Sequence, residues 1–109
     1  MGIKSYEKQD FSKAKGYFEK VCGLNNGGGC SGLGFLYGSG KGVEKNLTKA
    51  TQFYSKACEL NYKFGCSWLG AMQYQGKIVV KNEKQAMKKF EKACKLGYKE
   101  ACEMLKLLR

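Results

Sequence analysis

The chain has 109 residues, 43% of them hydrophobic, with no proline and no histidine. Its net charge is +11, and 19 of the 20 cations are lysine, Arg109 being the exception. These figures fit one small domain, exclude histidine-dependent catalysis, and hold no run near the roughly 18 apolar residues of a membrane helix.

In chain order, residues 1–9 with Tyr6 read as a shortened helix that caps one end. A longer helix with Asp10 at its N-cap then leads to Cys22. A shorter helix starts at Cys30 and runs through Leu33, Gly34, Leu36 and Tyr37 to a connector, Gly38-Ser39-Gly40-Lys41-Gly42. The next helix spans Asn46 to Leu60, because Leu47, Ala50, Phe53, Tyr54, Ala57 and Cys58 step by three or four. Cys66 to Met72 repeats the short helix, followed by a Gly76-Lys77-Ile78 connector. Asn82 caps a third long helix through Ala86, Phe90 and Cys94, and Ala101–Leu108 closes the chain.

These elements recur with a step of 36 residues. Cys22, Cys58 and Cys94 keep it, each with a second cysteine eight positions on at Cys30, Cys66 and Cys102. So do Ala14/Ala50/Ala86, Phe18/Tyr54/Phe90, Lys20/Lys56/Lys92, Leu24/Leu60/Leu96 and Leu33/Leu69/Leu105. A fixed period of this size predicts an all-α, α/α superhelical solenoid, one domain over 1–109 with units at about 10–45, 46–81 and 82–109. Phe18, Tyr54 and Phe90 are expected in the core, and Lys20, Lys56 and Lys92 on a solvated face.

An even cysteine number at regular spacing reads as a disulfide framework from an oxidising compartment. Six cysteines allow 15 pairings in principle, and the repeat favours one pair within each unit. Each nine-residue loop would contribute about 2.5 kcal/mol on a chain-entropy argument. Zinc is disfavoured by the missing histidine and the eight-residue spacing. No metal and no cofactor is expected. The opening Met1-Gly2-Ile3-Lys4 lacks the apolar stretch of a leader, which says nothing of compartment because leaders are cleaved.

The run Leu33-Gly34-x-Leu36-Tyr37-x-x-Gly40-x-Gly42-Val43-x-Lys45-Asn46-x-x-Lys49-Ala50-x-x-x-Tyr54-x-Lys56-Ala57-Cys58 resembles the Sel1-like repeat family, relatives of the tetratricopeptide repeats. The cysteine pairs narrow the resemblance to its exported, cysteine-rich Hcp-type branch. The second copy departs from the pattern, with Gln73 in place of tyrosine and Ile78 in place of glycine. The resemblance implies one disulfide per repeat and a secreted or periplasmic location. It implies two activities: an interaction scaffold, or a penicillin-binding protein with weak β-lactamase activity.

The residues offer little support for hydrolysis. Serine β-lactamases combine Ser-x-x-Lys with two further elements, Ser-Asp-Asn and Lys-Thr-Gly. Ser5-x-x-Lys8 and Ser12-x-x-Lys15 match the first element alone, as a chain with 19 lysines will by chance. No catalytic residue can be named. Gly32-x-Gly34-x-x-Tyr37 lacks the third glycine of a dinucleotide fingerprint, and Ser39-Gly40-Lys41-Gly42 lacks the hydroxyl residue of a phosphate loop. The near-absence of arginine also argues against specific nucleic-acid reading.

What remains is a concave surface lined by the short helices. Phe35, Trp68, Gln73 and Tyr74 are the candidate ligand-binding residues, for a peptide, a protein, or a cell-wall-like or β-lactam-like small molecule. The competing reading has Trp68 packed between repeats. Such a chain is expected to be a monomer or to self-associate weakly. Attraction of its lysines to anionic polymers is a third reading.

Overall fold

A computed structural model describes residues 3–75 and 83–108, with side chains from Asp10 onward. The Gly76-Lys77-Ile78 connector and the Asn82 cap lie outside the described residues, and the stretch around Tyr6 is described by its backbone alone, as part of one helix that continues through residue 23. Among the described residues six helices follow one another: α1 (Ile3–Gly23), α2 (Gly27–Ser39), α3 (Leu47–Glu59), α4 (Lys63–Gln75), α5 (Glu83–Lys95) and α6 (Lys99–Leu108). Each pairs with its neighbours in the chain, so the molecule is an α/α repeat solenoid. Its extents of 49 × 27 × 22 Å fit a row of stacked helix pairs.

One backbone device makes every helix pair. Asn25, Asn61 and Gly97, spaced 36 residues apart, have φ of 65°, 64° and 100°. A left-handed residue just past a helix turns the chain back on itself. Around Asn61 two bonds close this turn, Asn61 N to Cys58 O at 2.9 Å and Tyr62 N to Ala57 O at 3.0 Å. The same two bonds recur at Asn25 and Gly97. The next helix begins at once; in the first copy Asn26 Oδ1 accepts from Gly29 N at 2.8 Å. The last turn of one helix thereby faces the first turn of the next, and the cysteines there meet. Disulfides join Cys22–Cys30, Cys58–Cys66 and Cys94–Cys102, with Cα atoms 4.6, 4.4 and 4.8 Å apart.

Alanines, leucines and aromatics of the repeat columns fill the spaces between pairs. Ala50, Tyr54 and Leu69 form one buried cluster, and Cys58, Cys66, Ala86, Phe90, Ala93, Ala101 and Leu105 another. Phe18 packs partly buried on the cluster of Cys22, Cys30, Leu33 and Ala57. Gly34 explains how closely the second pair approaches the first. A Cβ there would stand 2.8 Å from the Tyr54 ring, well inside contact distance. At the other end of α2, Gly40 (φ 71°) caps the helix by donating to Leu36 O, and Asn46 then caps α3 by accepting from Lys49 N.

Three details differ from the sequence expectations. Asp10 lies within α1 rather than at its start, because Ile3–Gly23 is one continuous helix. The short helix α2 starts at Gly27, three residues before Cys30, because the left-handed turn at Asn25 and the Asn26 cap fix its first turn. Lys20 is exposed as expected, whereas Lys56 and Lys92 are half-buried: Lys56 shares a depression with Gln85 and Lys89 of α5, and Lys92 reaches back to Cys58 O of α3.

Candidate functional site

The short helices α2 and α4 stand side by side, each backed by a long helix. Phe35 on α2 and Trp68 on α4 are 47% and 54% exposed. Lone exposed aromatics are ordinary on protein surfaces. These two, however, wall one cavity of about 290 Å³, whose floor is Tyr54 with Leu47 and Met72. The Tyr54 ring stacks on Trp68, centroids 6.0 Å apart and planes 16° from parallel. Tyr54 is itself buried against Gly34, so the indole rests on a fixed ring. Burial also pushes the Tyr54 hydroxyl up to about 12, which keeps it neutral throughout the physiological range.

Trp68 also walls a second cavity of about 180 Å³, shared with Phe64, Ala71, Phe90, Tyr98 and Met104. Phe64 meets Tyr98 edge-on, with centroids 5.0 Å apart. Two ammonium groups stand over the rim aromatics. Lys41 lies 5.8 Å from the Phe35 centroid and 5.2 Å from that of Phe11, and Lys63 lies 5.3 Å from that of Phe64. Such cation–π contacts hold a charge beside an apolar surface without burying it.

Of the four candidate ligand residues, the fold brings Phe35 and Trp68 together. Gln73 lies instead in a polar depression between α3 and α5, with Lys56, Glu59 and Lys89. Its buried Oε1 has no hydrogen-bond partner among the described residues. Tyr74, 36% exposed, lines neither aromatic cavity. Helical geometry explains the split. At about 100° per residue, Gln73 and Tyr74 fall roughly 140° and 120° around α4 from Trp68, whereas Met72 falls only about 40° away.

Phe64, Tyr98 and Met104 were not anticipated, although one column pointed at Met104. Gly32, Trp68 and Met104 are 36 residues apart and occupy equivalent positions. In the first copy the Phe18 ring lies 2.7 Å from where a Cβ of Gly32 would stand, so it fills that place. The middle repeat alone raises an aromatic ring there.

The lining offers binding surface and little reactive chemistry. Every cysteine is in a disulfide. The Ser39 hydroxyl, at the edge of the first cavity, donates to Phe35 O at 2.7 Å. On α1, Lys15 of the Ser12-x-x-Lys15 match lies 3.8 Å from Glu19. Among the described residues no group of histidine, cysteine, aspartate or glutamate could hold a metal ion. None of their helices is long and apolar enough to cross a membrane.

Comparison with known proteins agrees with this architecture. The Sel1 repeat family model matches residues 1–26, 28–62 and 64–98. Over 47 residues the chain is 60% identical to HcpC of Helicobacter pylori, covering 43% of this chain and 16% of that protein. It is 55% identical over 47 residues to "Beta-lactamase HcpA" of the same organism, covering 43% of this chain and 19% of the relative. The matched segment thus spans less than a fifth of those relatives. The solved structure of Helicobacter pylori cysteine rich protein B superposes with a TM-score of 0.81 at 58% identity, over 84% of this chain and 68% of that one. A Sel1 repeat protein from Oxalobacter formigenes shares the fold, with a TM-score of 0.85 at 24% identity over 89% of this chain and 40% of the other. The chain belongs to the Sel1 repeat family, in its cysteine-rich, Hcp-type branch.

Proposed function

We propose that this chain is an exported, disulfide-stapled interaction module that seats a peptide or protein segment in the groove of α2, α4 and α6. The carrying observation is Trp68, 54% exposed yet stacked on buried Tyr54, with an apolar cavity on either side. An aromatic anchor held rigid before binding loses little conformational entropy when a partner covers it. Three disulfides and the relatives' cysteine-rich character support export into an oxidising compartment.

A display library of random peptides, selected on the oxidised protein, tests this reading. The expected result is enrichment of sequences whose binding is lost in both Phe35→Ser and Trp68→Ser. Selection of nothing, or of sequences indifferent to both substitutions, would exclude the groove as the binding site.

The name of one relative, Beta-lactamase HcpA, favours a second reading, recognition of a β-lactam. A cavity of about 290 Å³ beside Trp68 suits one small ring system. Turnover has weaker support, because Ser39 directs its hydroxyl to Phe35 O and none of the described residues lining that cavity is a lysine. Titration with benzylpenicillin, following Trp68 fluorescence and ring-opened product together, separates binding from turnover. Product above a heat-inactivated control would make the chain a hydrolase.

A further inference from the structure

We infer that the groove takes an acidic peptide segment with two large apolar side chains, one on each side of Trp68. This rests on the proposed reading of the groove as a peptide site. Three observations carry it.

The first is the doubling of the cavity. Trp68 is a shared wall, with Phe35 and Leu47 on one side and Phe64 and Met104 on the other. One anchoring side chain leaves half of this apolar surface wet; two cover it. Alternate residues of an extended segment project to the same side about 7 Å apart, a spacing that lets two side chains straddle one indole.

The second is the placement of charge. Lys41 stands over Phe35 and Lys63 over Phe64, so each cavity has an ammonium group over one of its wall aromatics, just outside the described lining. No carboxylate is among the described residues lining either one. An apolar anchor entering either cavity brings its flanking residues to an ammonium group. Flanking carboxylates gain there, and flanking cations are repelled.

The third is the charge of the whole chain, +11 from 20 cations against nine acids. A second copy of the chain would meet this field with the same sign, which makes self-association a poor source of the occupant. An acidic partner is drawn in by it. Single-stranded nucleic acid shares the negative sign and also stacks on aromatics. The groove suits it less well: Tyr54 already covers part of the indole, and arginine, the usual fork for phosphates, is limited to Arg109.

The probes are labelled seven-residue peptides, read by fluorescence anisotropy on the oxidised chain. EDLEFED carries acids with two alternate apolar anchors. KKLKFKK keeps the anchors and reverses the charge, and EDSESED keeps the charge without anchors. A thymidine oligonucleotide is the fourth probe. EDLEFED is expected to bind at least tenfold more tightly than each of the others. Its affinity should fall at least fivefold in the Lys41→Gln/Lys63→Gln double variant and at least tenfold in Trp68→Ala. Both variants should keep the wild-type helical circular dichroism.

Equal binding of KKLKFKK and EDLEFED, still dependent on Trp68, would overturn the acidic preference and leave the peptide groove standing. Tighter, Trp68-dependent binding of the oligonucleotide would overturn the choice of a peptide. Binding of EDLEFED that ignores both variants would overturn the site. Failure of every peptide here, alongside an empty display selection, would remove both the inference and the function it rests on.

Discussion

Lys92 Nζ donates a hydrogen bond of 2.7 Å to the backbone carbonyl of Cys58, 34 residues earlier in the chain. Cys58 sits in the last turn of α3, where carbonyls have no partner within the helix and carry its negative dipole end. The same carbonyl also accepts from Asn61 N at 2.9 Å, so both of its lone pairs are used beside the Cys58–Cys66 bridge. One lysine of α5 thus pins the second helix pair to the third. Lys92→Met keeps the aliphatic stem and removes the donor. The expected cost is about 1–2 kcal/mol, seen in thermal unfolding as a Tm lower by about 5–10 °C. An unchanged Tm would mean the bond adds no stability.

Gly34 and Tyr54 form the contact that sets the groove floor. In Gly34→Ala the new methyl must displace the Tyr54 ring, 2.8 Å from where the Cβ would stand. Overpacking costs about 1–3 kcal/mol, and better helix propensity returns about 1 kcal/mol. The net expectation is a modest fall in Tm, together with a shifted Trp68 emission because its stacking partner has moved. An emission spectrum identical to wild type would show that the ring had not moved.

Asn61 holds φ 64° at the turn that joins α3 to α4. Asparagine tolerates this region better than other residues with side chains, and glycine occupies it freely. Asn61→Ala should lose about 1 kcal/mol, whereas Asn61→Gly should match wild type or exceed it. Chemical denaturation of the three proteins gives the ranking. Alanine equal to asparagine would remove the turn geometry as the cause.

Tyr54 supplies a pH signature. Its hydroxyl is raised by burial from 10.0 to about 12, so the folded chain holds that proton more tightly than the unfolded one. The stabilisation is complete below pH 10 and is lost as the pH climbs toward 12. In tyrosinate absorbance at 295 nm, the wild type should show an ionisation phase near pH 12 that Tyr54→Phe abolishes. The stability difference between wild type and Tyr54→Phe should shift in favour of the variant over the same interval. A titration in which Tyr54→Phe removes nothing near pH 12 would contradict the burial.

Part of the site was legible before folding, and particular residues mark the boundary. Phe35 and Trp68 stood out as large aromatics on short helices that a solenoid turns toward its groove. Gln73 and Tyr74 looked equally plausible by proximity in sequence, and the turn of α4 separates them from Trp68. Met104 was readable only by following the Gly32/Trp68/Met104 column and asking what stands where Phe18 fills the first position. Lys56 and Lys92 looked like solvent residues because their burial comes from helices a whole repeat away.

The sequence by itself determined the period, the long and short helices and the family, and it favoured the pairing of cysteines within each unit. These features are local or strictly repeated: a helix is written in apolar spacing, and a bridge of eight residues closes within one turn. Tertiary structure alone decided what the copies do to one another. It set the stacking of Trp68 on Tyr54, the second cavity beyond it, the lysines poised over Phe35 and Phe64, and the reach of Lys92 to Cys58. Those contacts join residues far apart in the chain, and their geometry follows from how one helix pair packs on the next, which no periodicity encodes.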